Sequence, residues 1–78
     1  MREKGSFIIE FASEIPYTSF EVVLGRNKYF TTYVTWIYGK ENDSYFWGHY
    51  FNDKESAIKD YHERIKHEIE SSIEWGII

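Results

Sequence analysis

The spacing of apolar residues changes once along this chain, near Asn52. Before that point, aromatic and β-branched residues form short runs that are separated by turn-forming residues. After it, apolar residues recur every three or four positions. The first pattern predicts β-strands and the second predicts an amphipathic helix. We therefore expect an α+β fold, in which a three- or four-stranded antiparallel β-meander packs on one C-terminal amphipathic α-helix in the order β-β-β-β-α.

The length of 78 residues allows one domain, because two cores would each be too small to fold unaided. We expect disorder over residues 1–5, the sheet over residues 6–51 and the helix over residues 52–75. The chain has no cysteine, so neither a disulfide nor a thiolate metal site can stabilise it. Packing of aromatic residues, which make up 21% of the sequence, has to supply the stability.

The helix carries signals for its start, its buried side and its end. Asn52 and Glu55 have the spacing of a capping box, which predicts Asn52 as the N-cap. Gly76 is expected just after the last helical residue. The buried side is predicted to be an apolar stripe of Ile58, Tyr61, Ile65, Ile69 and Ile73.

Alternation along the strands predicts which side of the sheet each residue takes. We expect even-numbered residues to face the helix, which places Val22, Leu24, Trp36, Phe46 and Tyr50 in the core. Gly48 then lies beside Trp36, whose ring covers the missing side chain. A change of one residue in a hairpin register would exchange the two sides of a strand.

The outward side of this sheet is the first candidate site. Its predicted members are Tyr29, Tyr33, Tyr45, Trp47 and His49. An exposed aromatic surface of this size favours a protein interface. It also suits stacking of single-stranded nucleic acid, with Arg26, Lys28 and Lys40 on phosphates. A homodimer, or coverage of these rings by the first strand or by the twist of the sheet, would leave no separate site.

A predicted acidic ridge on the outer side of the helix is the second candidate. It contains Asp60, Glu63, His67, Glu70 and Glu74 at alternating three- and four-residue spacing. Such a ridge fits a partner protein with a basic groove. The alternative is an ordinary solvated face, because i,i+4 pairs with lysine and arginine partly neutralise it.

Neither a metal site nor a catalytic site is expected. His62 and His67 are five residues apart, which turns them away from each other on a helix. His49 with Glu21 or Asp43 has the residue types of a general base, but a domain this small offers little volume that excludes water. We therefore expect no cofactor and no enzymatic activity.

The expected function is that of a small protein-binding module that acts stoichiometrically to inhibit or modulate a larger protein. The alternatives are a single-stranded nucleic-acid-binding accessory protein that uses the aromatic sheet face, and a structural subunit, whose sheet completes that of another protein, or a homodimer. The net charge of −4 argues against direct nucleic-acid binding. By analogy of size and charge with phage and mobile-element proteins, the target would be a nucleic-acid-processing enzyme or a host-defence factor. The sequence has no apolar run long enough for a membrane span, so we expect a soluble cytoplasmic protein.

Overall fold

The computed structural model describes residues 2–77, and the side chains of residues 2–71. It contains one antiparallel sheet whose strands are neighbours in chain order, followed by one helix. The α+β class and the meander with a C-terminal helix are confirmed. The elements are β1 Glu3–Lys4, β2 Phe7–Glu14, β3 Phe20–Asn27, β4 Tyr33–Gly39, β5 Ser44–Phe51 and α1 Lys54–Ile77.

The sheet has five strands rather than three or four, because a short strand precedes the four that the sequence predicts. This strand, β1, lies within residues 1–5, for which we expected disorder. Gly5 makes the turn into β2 with a φ of 58°, a conformation that glycine adopts without a steric penalty. β1 then pairs with Phe7 and Ile8.

Both sides of the curled sheet are packed. On the helix side, the buried residues are Ile15, Val22, Leu24, Ile37, Ala57 and Tyr61. On the far side, Val23, Val34 and Trp36 are buried against Phe7, Ile9, Tyr38 and Tyr45. The central run Val22, Val23 and Leu24 is fully buried, as expected of a strand that is covered on both sides.

The predicted orientation is right for β3 and wrong for β4. Val22 pairs with Ile37 and Leu24 pairs with Thr35. Antiparallel partners lie on the same side of a sheet, so the odd-numbered residues of β4 face the helix. The register pairs even-numbered residues of β3 with odd-numbered residues of β4, and a turn over residues 25–28, which pairs Leu24 with Tyr29, would have done the same, so even numbering could not hold on both strands. The connection itself also lies further along the chain, at residues 28–32, because β3 continues through Asn27.

A bulge changes the orientation again within β5. Ile37 pairs with Phe46 but Thr35 pairs with His49, so two residues of β5, Trp47 and Gly48, lie opposite Trp36. Phe46 therefore faces the helix as predicted. His49 also faces the helix, whereas Tyr50 lies on the far side with Trp36, and both placements differ from the prediction.

The helix begins one residue later than the capping box predicts. Asp53 is the N-cap, because its Oδ2 accepts a hydrogen bond of 2.8 Å from the Ser56 N–H. The helix continues through Ile77, so Gly76 is helical and does not follow the end. Of the predicted stripe, Tyr61 is buried and Ile58, Ile65 and Ile69 are partly buried, while the side chain of Ile73 lies outside the described residues. In the part of the chain that the structure describes, no helix is both long and apolar enough to cross a membrane.

Candidate interaction surfaces

The five residues predicted to form one outward aromatic face lie in four different places. Tyr33 and His49 are on the helix side of the sheet. Tyr45 packs on the far side, between Trp36 and Tyr38. Tyr29 is in the β3–β4 loop, and Trp47 is at the β5 bulge. The single open face therefore does not exist.

The far side of the sheet is covered by its own rings and by the N-terminal hairpin. Trp36 is only 7% exposed, although the helix lies on the other side. Its ring packs edge-on against Phe7 and Tyr45, with centroids 5.4 and 5.3 Å apart. The Arg2 guanidinium lies 4.8 Å from the centroid of the Tyr38 ring and 3.1 Å from a Glu21 oxygen. This side is thus a second core, which was one of the alternatives that the sequence left open.

Of the five predicted residues, Trp47 is the one that combines an exposed side chain with a left-handed backbone conformation. It is 70% exposed and has a φ of 55°, in the left-handed region. That conformation costs a bulky residue about 1–2 kcal/mol. The Trp47 ring stands edge-on to Phe46, with centroids 5.0 Å apart, and Phe46 is edge-on to Phe20 at 5.9 Å. We call Trp47, Phe46 and Phe20 the Trp47 patch.

The acidic ridge is shorter than predicted because Asp60 faces the sheet. Glu63, His67 and Glu70 are exposed, and the side chain of Glu74 lies outside the described residues. The helix residues that face the sheet are centred on Ala57, Tyr61 and Arg64, rather than on the isoleucines alone. Asp60 lies beside this set, one turn before Arg64 and about 40° from it around the helix, so its side chain reaches the sheet at Thr35.

A polar network between α1 and the sheet takes up Asp60. The fully buried Thr35 hydroxyl donates to Asp60 Oδ2 at 2.5 Å. His49 Nδ1 lies 3.1 Å from the same oxygen. Arg64 donates to both the Thr35 carbonyl and the Thr35 hydroxyl at 3.1 Å. Each of the four polar side chains in this network has a hydrogen-bond partner within it. We interpret the network as a contact that holds α1 against the sheet.

The charged side chains of Asp60 and Arg64 in this network are partly buried. Burial lowers the pKa of Arg64, and the negative charges of Asp60 and Glu68 oppose that effect. Sequence reasoning paired His49 with Glu21 or Asp43 and missed Asp60. A signal was present, since a polar Thr35 inside an apolar strand needs a partner, and Asp60 and Arg64 are four residues apart on one helix face.

The two histidines of the helix that the sequence places on different sides, His62 and His67, are both exposed on α1. Within residues 2–71, no group of three histidine or acidic side chains is placed to hold a metal ion.

The basic residues that a nucleic-acid platform would need are already paired with carboxylates. The pairs are Arg26 with Glu10 at 2.9 Å, Lys28 with Glu3 at 2.6 Å and Lys40 with Glu14 at 3.0 Å. In each pair the carboxylate neutralises charge that phosphate contacts would use.

A shallow apolar groove of about 100 Å³ lies between β2 and α1. Its lining residues are Phe11, Ile58, Tyr61 and His62. The Tyr61 hydroxyl is 2.6 Å from Ser13 Oγ, which fixes the floor of the groove to β2. Sequence reasoning did not identify this groove, because it depends on where the helix crosses the sheet.

Comparison with known proteins adds no relative: no protein-family model, curated protein or solved structure matches this chain.

Proposed function

We propose that this chain is a non-enzymatic protein-binding module that acts stoichiometrically on a larger protein, with the Trp47 patch as its main contact. The observation that carries the proposal is Trp47 itself, held in a left-handed conformation with 70% of its surface exposed. Burial within the chain does not offset the cost of that conformation. Strained residues of this kind concentrate at functional sites.

The chemistry of the patch favours a protein as the partner. Tryptophan dominates the energetic centres of protein interfaces, because it buries a large rigid area at low entropic cost. The Trp47 patch contains three rings that already touch edge to edge, so little ordering is needed on binding. A nucleic acid is less favoured as the partner, because Lys40, a basic residue on the loop that leads into β5, is already paired with Glu14.

The charge of the chain indicates the kind of protein that it would meet. With a net charge of −4, the chain is attracted to a basic surface such as the substrate groove of a nucleic-acid-processing enzyme. Glu63 and Glu70, which are exposed on α1, provide a second contact in this proposal. Occupying such a groove would inhibit the enzyme, which is the action that we assign to the chain.

Affinity capture with paired variants tests the proposal. Trp47→Ala and Trp47→Gly both remove the ring, and we expect both to lose the partner that the wild type captures. Phe30→Ala is the matched control, because Phe30 is 73% exposed but lies in the β3–β4 loop. It should retain the partner.

The two Trp47 variants also report on the strain. In urea unfolding, Trp47→Gly should be more stable than Trp47→Ala by about 1 kcal/mol, since glycine tolerates the left-handed conformation. Retention of the partner by both variants would contradict the proposal. So would a tight homodimer, detected by light scattering, that dissociates in both Trp47 variants when no other partner is captured.

A further inference from the structure

The second half of β2 is an open edge of the sheet. β1 pairs only with Phe7 and Ile8, and the Ile9 N–H then donates to the Arg2 carbonyl at 2.9 Å. Beyond that point, no described strand lies on the outer side of β2. Phe11, Ala12 and Glu14 are exposed there. The edge is therefore free over about four residues.

The hydrogen-bonding direction of this edge follows from its hairpin. The Ile15 N–H donates to the Phe20 carbonyl at 3.0 Å. Backbone groups alternate in direction along an antiparallel strand, so the N–H groups of Ala12 and Glu14 point away from β3. They are placed to pair with an added strand. The small Ala12 side chain allows a close approach.

The apolar groove lies directly beside this edge. Phe11, on β2, forms one wall and is 44% exposed. Its ring centroid is 6.0 Å from that of Tyr61 on α1. A strand added to β2 would direct alternate side chains to the helix side, over the groove. The volume of about 100 Å³ suits one branched aliphatic side chain.

The charge at the β2 edge favours a basic segment of another protein over a second copy of this chain. The Glu14 side chain is 74% exposed, even though one oxygen pairs with Lys40. If two copies of this chain paired antiparallel through this edge, the Glu14 side chains of both copies would lie on the same side of the new pair, and each copy would bring a net charge of −4. Like charges directly opposite each other destabilise a strand pair. A segment with lysine or arginine at those positions is favoured instead.

The other exposed edge of the sheet, β5, is less suited to strand addition. Its bulge places Trp47 in a left-handed conformation, which interrupts the row of backbone groups at the middle of the strand. Within the part of the chain that the structure describes, the β2 edge combines a regular backbone over residues 11–14 with an adjacent groove.

We infer that residues 11–14 of β2 and the adjoining groove bind an extended segment of a partner protein, one that carries a branched aliphatic side chain flanked by basic residues. This inference rests on the proposed protein-binding function and adds a contact that is separate from the Trp47 patch. Main-chain hydrogen bonds supply affinity, and the groove and Glu14 supply selectivity.

An NMR titration of the ¹³C,¹⁵N-labelled chain with a synthetic peptide tests the inference. The probe is acetylated Ser-Val-Lys-Leu-Lys-Val-Ser, whose leucine and lysines fall on opposite sides of an extended strand. We expect the largest amide shifts at Ala12 and Glu14, and methyl shifts at Ile58. A peptide with glutamate in place of both lysines should bind about tenfold more weakly. A version that is N-methylated at leucine and both lysines should not bind.

Three variants locate the site. Ala12→Pro removes an outward N–H at a position where an edge strand tolerates proline, and it should abolish the shifts. Glu14→Lys, a surface change that leaves the fold intact, should reverse the preference so that the glutamate peptide binds more tightly. Trp47→Ala should bind the peptide like the wild type, which separates this site from the proposed function.

Several results would overturn the inference. These are absence of shifts at millimolar peptide, shifts centred away from β2, or an unchanged charge preference in Glu14→Lys. A stable dimer that Glu14→Lys alters and that the peptide does not displace would show that a second copy is the occupant. Because Trp47-dependent capture does not use this edge, each of these results leaves the proposed function to its own test.

Discussion

Trp47 and Gly48 are neighbours in one bulge, and each has a different reason for being there. Trp47 is directed outward and its ring remains exposed. Glycine is needed at position 48 because the Trp36 ring occupies the space that a side chain there would take. A Cβ built at Gly48 would lie 2.8 Å from Trp36 Nε1 and 3.1 Å from Tyr50 Cε2.

Gly48→Ala should therefore destabilise the chain by about 1–3 kcal/mol, the range for an overpacked site. Trp36 cannot move aside easily, because Phe7, Tyr45 and Tyr50 surround its ring. Gly39→Ala is the matched control. A Cβ at Gly39 would make ordinary contacts of 3.4 and 3.5 Å with Phe20 and Phe46. It should change stability by less than about 1 kcal/mol. Urea unfolding of both variants measures the difference, and equal effects would contradict the steric explanation.

Single residues also show where sequence reasoning succeeds. The closeness of Gly48 to Trp36 was predicted from alternation and is confirmed. The N-cap was predicted one residue early, since Asn52 and Asp53 are both good caps and only the hydrogen bond to Ser56 decides between them. The role of Asp60 was missed, because polar residues on a helix are assumed to face water until a buried partner such as Thr35 is known.

At the scale of elements, the positions of the strands were more predictable than their sides. Aromatic and β-branched composition locates β2 to β5 to within a few residues. The side that a strand presents depends on its register, and one residue in a loop reverses it. Asn27, the last residue of β3, accepts hydrogen bonds from the Tyr29 and Phe30 N–H groups at its Oδ1, which places the turn beyond the expected position. No residue of β4 itself carries that information.

The docking of α1 depends on a polar contact as well as on apolar area. Asp60→Ala would leave the buried Thr35 hydroxyl without its acceptor, so we expect a loss of about 1–3 kcal/mol. Glu63→Ala is the matched control, because Glu63 is three residues further along the same helix and its side chain is exposed. It should change stability by no more than about 0.5 kcal/mol. Thermal or urea unfolding compares the two, and a neutral Asp60→Ala would show that the network does not hold the helix.

For the whole molecule, the decisive property is that both sides of a small sheet are occupied. The helix covers one side, and the aromatic rings with Arg2 cover the other. The sheet's own outward surface is therefore reduced to its edges, its loops and the Trp47 patch, beside the exposed face of α1. Composition predicted that aromatic residues would dominate the packing. It could not predict that the far side would close, because that depends on β1 and on the curl of the sheet.

The ion pairs of the sheet lead to a prediction about nucleic acid. Arg26, Lys28 and Lys40 are the cations that a stacking platform would use, and each is bound to a carboxylate. Release of these cations would cost the existing pairs, and the net charge of −4 repels phosphate in addition. We therefore expect no quenching of tryptophan fluorescence by a single-stranded oligonucleotide at low salt.

A variant with glutamine at Glu3, Glu10 and Glu14 tests the cause of that expectation. It frees the three cations and changes the net charge from −4 to −1, because three negative charges are removed. Weak, salt-dependent quenching should then appear, since phosphate contacts become available while the exposed rings are unchanged. Quenching of the wild type at the same salt would show that its cations are accessible despite the pairs. The Trp47 patch would then have to be considered a base-stacking surface, and the protein-binding proposal would lose its electrostatic support.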